Sequence, residues 1–154
     1  MKKKTTRKPA TRALPKTTIT ATINVTINQF RPLGGVFPIS AVMELAAPQD
    51  GIKPLDGSIV VKSGQPATLI FQLNNPAYVF AGVAFDTSIA EVDVGTTEFP
   101  RVVIDRDPKR NRLSVIDANL SEDSGKTYNY ILLVQNTATG EIGIIDPPIT
   151  NEPH

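Results

Sequence analysis

The chain has 154 residues, of which 40% are hydrophobic and 20% charged, so it is long enough for one folded domain with a real core and is not globally disordered. It contains no cysteine, and its single histidine is the terminal His154, which excludes disulfides, thiolate metal sites and cysteine nucleophiles and leaves no internal histidine for a catalytic triad. The net charge of +1 combines two unlike regions, because the first 18 residues hold seven basic and no acidic residues while the remainder holds nine basic and fifteen acidic residues.

Residues 1–17 form the first predicted element, a disordered basic tail. The segment is rich in lysine, threonine and proline and has no apolar run, so it lacks the core of a secretory signal peptide. No other stretch approaches the roughly 20 apolar residues that cross a bilayer. We therefore expect a cytoplasmic protein without a membrane span. Basic runs bind phosphates without sequence specificity, so contact with nucleic acid or an anionic surface is an alternative role, which the absence of interleaved aromatic residues disfavours.

Residues 18–154 are predicted to form one β-sandwich domain. Thr18–Asn28 alternates strictly between apolar and polar residues, which is typical of a strand with one buried face. No segment has the apolar periodicity of a helix, although Pro38–Ala47 could hold a single short turn. Apolar runs separated by Gly, Pro, Asn and Asp predict further strands at Ser40–Leu45, Ser58–Lys62, Ala67–Leu73, Tyr78–Phe85, Ile89–Val94, Arg101–Asp105, Leu113–Asp117, Tyr128–Gln135 and Glu141–Ile145. This spacing favours an all-β, immunoglobulin-like antiparallel sandwich of about 7–9 strands.

The segment Asp123–Tyr128 is similar to the turn that precedes the penultimate strand of immunoglobulin-like sandwiches. In those domains a tyrosine closes the corner by bonding back to the preceding loop. The alternative interpretation is that Tyr128 and Tyr130 simply pack on a sheet.

The last two predicted strands form a hairpin around Thr137–Gly140. Gly140 suits the left-handed position that closes a short turn with a bulge. If Thr137 faces Glu141, Asp146 shares one face of the sheet with Leu132, Tyr130, Tyr128 and Lys126. A slip of one residue would move all of these side chains to the other face.

The sequence Asp146-Pro147-Pro148 follows this hairpin. Adjacent prolines cannot donate ladder hydrogen bonds, so one interpretation is a strand terminator followed by an edge-protecting tail. The other concerns the Asp146–Pro147 bond, because an Asp carboxyl reaches its own carbonyl carbon through a five-membered ring and a protonated proline nitrogen leaves readily. Either the carboxyl attacks to give an anhydride, or a second carboxylate activates a water. A lysine amine could also trap the activated acyl group.

The environment of this bond differs from that of the second Asp-Pro pair, Asp107-Pro108. Asp146 follows a run of isoleucine and glycine, which predicts partial burial and a raised carboxyl pKa. Asp107-Pro108 lies among arginines and a lysine and is predicted to be a solvated turn.

The C-terminal run from Gly140 to Pro153, with Asp146-Pro147 followed by Glu152-Pro153, resembles the DP-EP family of small bacterial proteins. The resemblance covers residues 18–154 and includes the strand Thr18–Asn28 and the segments Asn75–Tyr78 and Gly125–Tyr128. It implies an immunoglobulin-like sandwich and, for at least some members, self-cleavage as an aspartic-type endopeptidase at the Asp-Pro bond. Carried over to this chain, it implies cleavage between Asp146 and Pro147.

The candidate site therefore consists of Asp146 and Pro147, with Lys126 as a candidate amine acceptor and Glu141 as a candidate second acid. Further candidates for the second acid are Asp86, Asp105 and Asp117. A two-lobed aspartic protease is excluded because the chain lacks a pair of Asp-Thr-Gly or Asp-Ser-Gly signatures. We expect no cofactor and no metal, since the carboxylates lack EF-hand spacing.

The function that these features favour is a self-processing β-sandwich that cuts its own Asp146–Pro147 bond once. It is an enzyme only as an autocatalytic aspartic-type endopeptidase, with residues 147–154 as its own substrate. The freed segment is expected to stay docked by apolar contacts. The alternative is a non-enzymatic binding or structural module with a rigid proline-rich end, whose basic tail contacts anionic partners.

Overall fold

The structure is a computed structural model that describes residues 17–34, 39–55, 58–62, 65–85, 99–105, 109–119, 127–146 and 148–151. Within these ranges the chain forms eleven strands and no helix, which confirms the all-β prediction. The strands are β1 (Ile19–Gln29), β2 (Ser40–Leu45), β3 (Ile52–Leu55), β4 (Ser58–Val61), β5 (Ala67–Leu73), β6 (Tyr78–Phe85), β7 (Arg101–Ile104), β8 (Arg112–Asp117), β9 (Thr127–Asn136), β10 (Ile142–Ile145) and β11 (Pro148–Asn151).

The strands form two sheets. One has the order β2-β1-β5-β8-β7, and the other has the order β10-β9-β11-β4-β3 with β6 also paired to β9. Most neighbours are antiparallel, as predicted, but β1–β5 and β4–β11 are parallel pairs. The architecture is compatible with the immunoglobulin-like sandwich expected from the sequence.

The core lies between the sheets and is built by strand alternation. In β1 every second side chain is buried, as its apolar–polar pattern predicts: Ile19, Ala21, Ile23, Val25 and Ile27. From the facing sheet, β9 buries Tyr128, Tyr130, Leu132 and Val134. The rings of Phe71 on β5 and Tyr130 on β9 lie 5.9 Å apart between their centroids, so the two sheets contact each other directly.

The strand predicted at Ser40–Leu45 is confirmed as β2, which is paired to β1, so the short turn considered for Pro38–Ala47 does not form in these six residues. Strand β3 was not predicted, because it is short and contains Pro54, which an edge strand tolerates. The predicted tail up to residue 16 and the predicted strand Ile89–Val94 lie outside the described residues.

The outer edge of β10 is covered by the connection between β1 and β2. The backbone amides of Leu33 and Ile39 donate hydrogen bonds to the carbonyls of Ile142 and Ile144, at 2.5 and 2.6 Å. This connection passes so close to Gly143 that a Cβ built there would lie 2.5 Å from the Arg31 carbonyl oxygen. A glycine is therefore required between two hydrogen-bonded positions of β10, although glycine is otherwise unfavourable within a strand.

We expect Gly143→Ala to lower the free energy of unfolding by about 1–3 kcal/mol, because the added methyl group displaces backbone rather than a flexible side chain. The matched control is Gly82→Ala in β6, where the nearest atom to a built Cβ is the Leu133 Cδ1 at 3.4 Å. Urea unfolding of both variants measures the difference. Equal stability of the two variants would contradict the close approach of the β1–β2 connection.

Candidate functional site

The two C-terminal strands, β10 and β11, follow one another along the same edge of β9. Ile145 of β10 faces Leu132, and Pro148, three residues later, faces Asn129, three residues earlier on β9. The register is therefore unchanged across the step between the strands, with neither an inserted nor a missing residue. Asp146 lies at this step, and Pro147, the other residue of the candidate scissile bond, lies outside the described residues.

Strand β11 is an inner strand of the sheet. It pairs with β9 on one edge, antiparallel, and with β4 on the other, parallel. Ile149 is fully buried and faces Tyr128 on β9 and Ile59 on β4. The interpretation of this segment as a strand terminator with an edge-protecting tail is therefore wrong, because four of its residues fill a position inside the sheet.

The hairpin between β9 and β10 differs from the predicted one by a single residue. Ile145, rather than Asp146, faces Leu132. The turn is closed by a hydrogen bond of 2.8 Å from the Asn136 amide to the Glu141 carbonyl, so four residues rather than three form the loop. Gly140 has φ 74°, which confirms its predicted left-handed conformation.

The side chain of Asn136 explains the longer loop. Its Oδ1 accepts hydrogen bonds from the amides of Ala138 and Thr139, at 2.9 and 3.3 Å. Such a local turn is characteristic of asparagine. It moves the register by one position, which directs Ile145 into the core and Asp146 away from it.

Asp146 is exposed, which corrects the expectation of partial burial. The isoleucines that suggested burial alternate between a buried and a half-buried face in β10, and Asp146 follows the buried Ile145. An exposed Asp146 side chain is accessible to water. The site therefore offers solvent access at the acyl side of the Asp146–Pro147 bond.

Tyr130 is a titratable side chain whose pKa responds to the charge of Asp146. Its side chain is 1% exposed, and its hydroxyl is buried. Burial raises the pKa of the Tyr130 phenol well above 10.0, and the nearby negative charge of Asp146 raises it further. The phenol therefore stays protonated through the neutral range and cannot act as a base there.

Sequence reasoning placed Tyr130 on the same face as Asp146 through the slipped register, which is wrong. Tyr128 and Tyr130 are both buried on β9, whereas residues 123–126 of the proposed tyrosine corner lie outside the described residues. The electrostatic proximity of Tyr130 to Asp146 has no signal in the sequence, because it depends on how the chain leaves β10 and enters β11.

The candidate second acid, Glu141, is not brought to Asp146. It is exposed and lies in the hairpin turn, where its carboxylate accepts a hydrogen bond of 2.9 Å from the Thr139 hydroxyl. The four extended residues of β10 separate it from Asp146, which corresponds to roughly 16 Å between Cα atoms at the rise of a β-strand. Lys126, the candidate amine acceptor, lies outside the described residues.

The other candidates for the second acid do not lie together near Asp146 in the described residues. Asp105 is exposed at the end of β7, where it lines a groove of about 440 Å³ together with Arg110. Asp117 is fully buried at the end of β8, and its Oδ1 accepts a hydrogen bond of 2.8 Å from the Asn119 amide. Asp86 lies outside the described ranges, as does the comparison pair Asp107-Pro108.

Asn119 completes the buried polar contact around Asp117. Its side-chain amide donates hydrogen bonds to the carbonyls of Lys62 and Gln65, at 2.8 and 3.2 Å, and so ties the end of β8 to the chain between β4 and β5. These bonds assign Asn119 a structural role. Across the part of the chain that the structure describes, no three His, Cys, Asp or Glu side chains are grouped as metal ligands, and no helix is long and apolar enough to cross a membrane.

No family model matches the chain, and a search of the curated proteins finds no match. The resemblance to the DP-EP family therefore stays a prediction from the sequence motifs.

We expect Asp146→Asn to lower the pKa of Tyr130 while leaving it above its ordinary value, since the charge disappears but burial, the larger cause, remains. The chain has three tyrosines, so phenolate absorbance in a Tyr78→Phe, Tyr128→Phe background reports Tyr130 alone. The matched control is Glu141→Gln, which removes an exposed carboxylate from the same hairpin and should leave the titration unchanged. An unchanged Tyr130 titration in Asp146→Asn would contradict an effect of the Asp146 charge on the phenol.

The same titration has a consequence for stability. A pKa raised in the folded state stabilises the protein fully below the ordinary tyrosine pKa of about 10, and this contribution disappears as the pH rises toward the folded-state value. We therefore expect the free energy of unfolding to fall as the pH rises above about 10 in the wild-type chain, and to fall less in Tyr130→Phe. Urea unfolding at several alkaline pH values measures both slopes, and parallel slopes would contradict the burial of the phenol.

Proposed function

We propose that this protein cuts its own Asp146–Pro147 bond once and retains the severed C-terminal segment in its sheet. The observation that carries the proposal is the unchanged register of β10 and β11 on β9, because each side of the bond is held by its own hydrogen-bonded strand. Fixed ends limit the conformations available to the intervening step, which favours an intramolecular reaction. They also keep the cleaved product in its folded form.

The reaction proposed is attack by a side-chain oxygen of Asp146 on its own main-chain carbonyl carbon. The bond to the Pro147 nitrogen breaks, that nitrogen takes up a proton and leaves as a secondary amine, and a five-membered aspartyl anhydride remains. One water then opens the anhydride and leaves Asp146 as a new C-terminus, so the net change is hydrolysis of one amide bond. The exposure of Asp146 supports this last step, because solvent has direct access.

The position of Glu141 argues against direct attack by a water that this residue activates. A general base needs to be within hydrogen-bond reach of the attacking water. Glu141 is instead engaged with Thr139 at the far end of β10. Attack by the carboxyl of Asp146 itself is the route that the described acids support.

Capture of the anhydride by Lys126 is the alternative fate of the acyl group. An amide bond would then form between the lysine amine and Asp146, and the fragment ending at Asp146 would be one water lighter than the hydrolysed product. Intact mass spectrometry distinguishes the two fates. The hydrolytic route is proposed here because solvent reaches Asp146.

We expect the full-length protein at mildly acidic and neutral pH to lose the mass of residues 147–154 under denaturing analysis, with Asp146→Ala abolishing the loss. The matched control is Asp107→Ala, which removes the other Asp-Pro pair of the chain and should leave cleavage unchanged. Cleavage of the urea-unfolded chain should be about 10²-fold slower, because the geometry that orients the carboxyl is lost. A folded wild-type chain that keeps its full mass indefinitely would overturn the proposal.

Water is the proposed proton source for the departing nitrogen, because the raised pKa of the buried Tyr130 phenol makes it a weak acid. We expect Tyr130→Phe to cleave at a rate close to wild type, while the protein remains folded. The control is Tyr128→Phe, which removes the hydroxyl of another buried tyrosine on the same strand and should leave the rate close to wild type. Time courses by intact mass spectrometry measure all three rates. A Tyr130→Phe rate far below that of Tyr128→Phe would contradict water as the proton source.

A further inference from the structure

Strand β11 belongs to the C-terminal segment that the proposed cleavage would release, and yet it lies inside a sheet. Its residues pair along both edges, Pro148–Thr150 with Thr127–Asn129 of β9, and Ile149–Asn151 with Ile59–Val61 of β4. Its buried anchor, Ile149, is 0% exposed. The segment that self-cleavage would detach is therefore an inner strand, with backbone and side-chain contacts on both sides.

The connection of the β3–β4 hairpin to the rest of its sheet depends on this strand. In the described part of the chain, β4 pairs only with β3 and β11, and no pairing joins β4 directly to β9. Removal of β11 would expose the facing edges of β4 and β9 and the buried side chains of Ile59 and Tyr128. Such a slot, with two unpaired strand edges and an apolar floor, is complementary to an extended peptide.

We propose that the slot between β4 and β9 is a strand-acceptor site, and that a chain cut at Asp146–Pro147 exchanges its own C-terminal segment for the same segment of a second copy. This inference rests on the proposed self-cleavage. The occupant is defined by the structure, because residues 147–154 of any copy carry the same Ile149 and the same backbone register that fill the slot now.

The cut lowers the effective concentration of β11 beside its slot, because it removes the covalent tether to β10. While the chain is intact, β10 holds β11 beside its own slot at an effective concentration in the millimolar range or above, so a free segment cannot compete. After the cut, docking becomes bimolecular and the slot is filled according to the free concentration of the segment. Self-cleavage would thus convert a permanently occupied internal strand into a reversible peptide-binding site.

The experiment uses a synthetic peptide with the sequence of residues 147–154, labelled with a fluorophore at its C-terminal end. We expect the cut wild-type chain to bind it, measured by fluorescence anisotropy, and to release an equivalent amount of the original segment, measured by mass spectrometry. The uncut Asp146→Ala chain should bind at least tenfold more weakly, because its slot stays occupied by the tethered strand. A peptide carrying Ile149→Asp is the matched control and should not bind to either chain.

A second arm cuts the chain without self-cleavage. The sequence contains no Asn-Gly pair, so Asp146→Asn combined with Pro147→Gly creates a single site for hydroxylamine at the same bond. The chain is cut while unfolded and refolded with the labelled peptide. Uptake of the peptide supports the acceptor site, whereas a two-piece chain that fails to refold with it overturns the acceptor site.

The outcomes separate the two proposals. A wild-type chain that never cleaves, together with a hydroxylamine-cut chain that exchanges, overturns self-cleavage and leaves the slot as a strand acceptor. A wild-type chain that cleaves but keeps its original segment against a large excess of labelled peptide overturns exchange and leaves self-cleavage intact.

Discussion

The burial of Ile149 between β4 and β9 is the contact on which the second sheet depends. Fully burying an isoleucine side chain contributes about 1.5–3 kcal/mol, and the surrounding strand adds backbone hydrogen bonds on both edges. Without this strand the β3–β4 hairpin would have lost its described pairing to the rest of the sheet. A short C-terminal segment therefore holds together two parts of the molecule that are distant in the sequence.

Because Ile149 anchors β11 in the sheet, Asp146 can lie in the break between the hydrogen-bonded strands β10 and β11 without disturbing the fold. The pairs on either side, Ile145 with Leu132 and Pro148 with Asn129, keep one register on β9. Proline has no amide hydrogen, so a sequence with two prolines at this point gives up ladder hydrogen bonds that an ordinary strand would make. The cost is local because the buried residues on both sides, Ile145 and Ile149, fix the two strands independently.

The sequence predicted those parts of the fold that are determined by local alternation. β1 is correct because one apolar residue in two is a strong signal over eleven residues. The pattern could not reveal β11, because its prolines indicate a chain end and its inner position comes from a parallel pairing with β4, far away in the sequence. The register of the last hairpin depended on the side chain of Asn136, which lengthens the turn by one residue.

The candidate site was predictable in its chemistry but not in its surroundings. An Asp-Pro bond can be recognised in any sequence, yet the exposure of Asp146 and the buried phenol of Tyr130 follow from one residue of register and from the path between two strands. Glu141 is near Asp146 in the sequence and remote in the structure, because extended chain separates residues by about 3.3 Å at each step. Proximity in the sequence is therefore a poor guide to the partners of a group in a strand.

A cut between two strands that pair with the same neighbour would have a different consequence from a cut within a loop. In a loop, both ends remain attached to elements that are covalently continuous with the core, and little changes. Here the covalent bond attaches residues 147–154, and strand contacts hold Pro148–Asn151 within them. Loss of the bond would leave Ile149 and the paired backbone to hold the segment. The proposed cut would leave the fold of the chain unchanged, while the lifetime of β11 in its slot would become a property of a peptide complex. The proposed cleavage at Asp146–Pro147 would therefore change the exchange of a strand more than its structure.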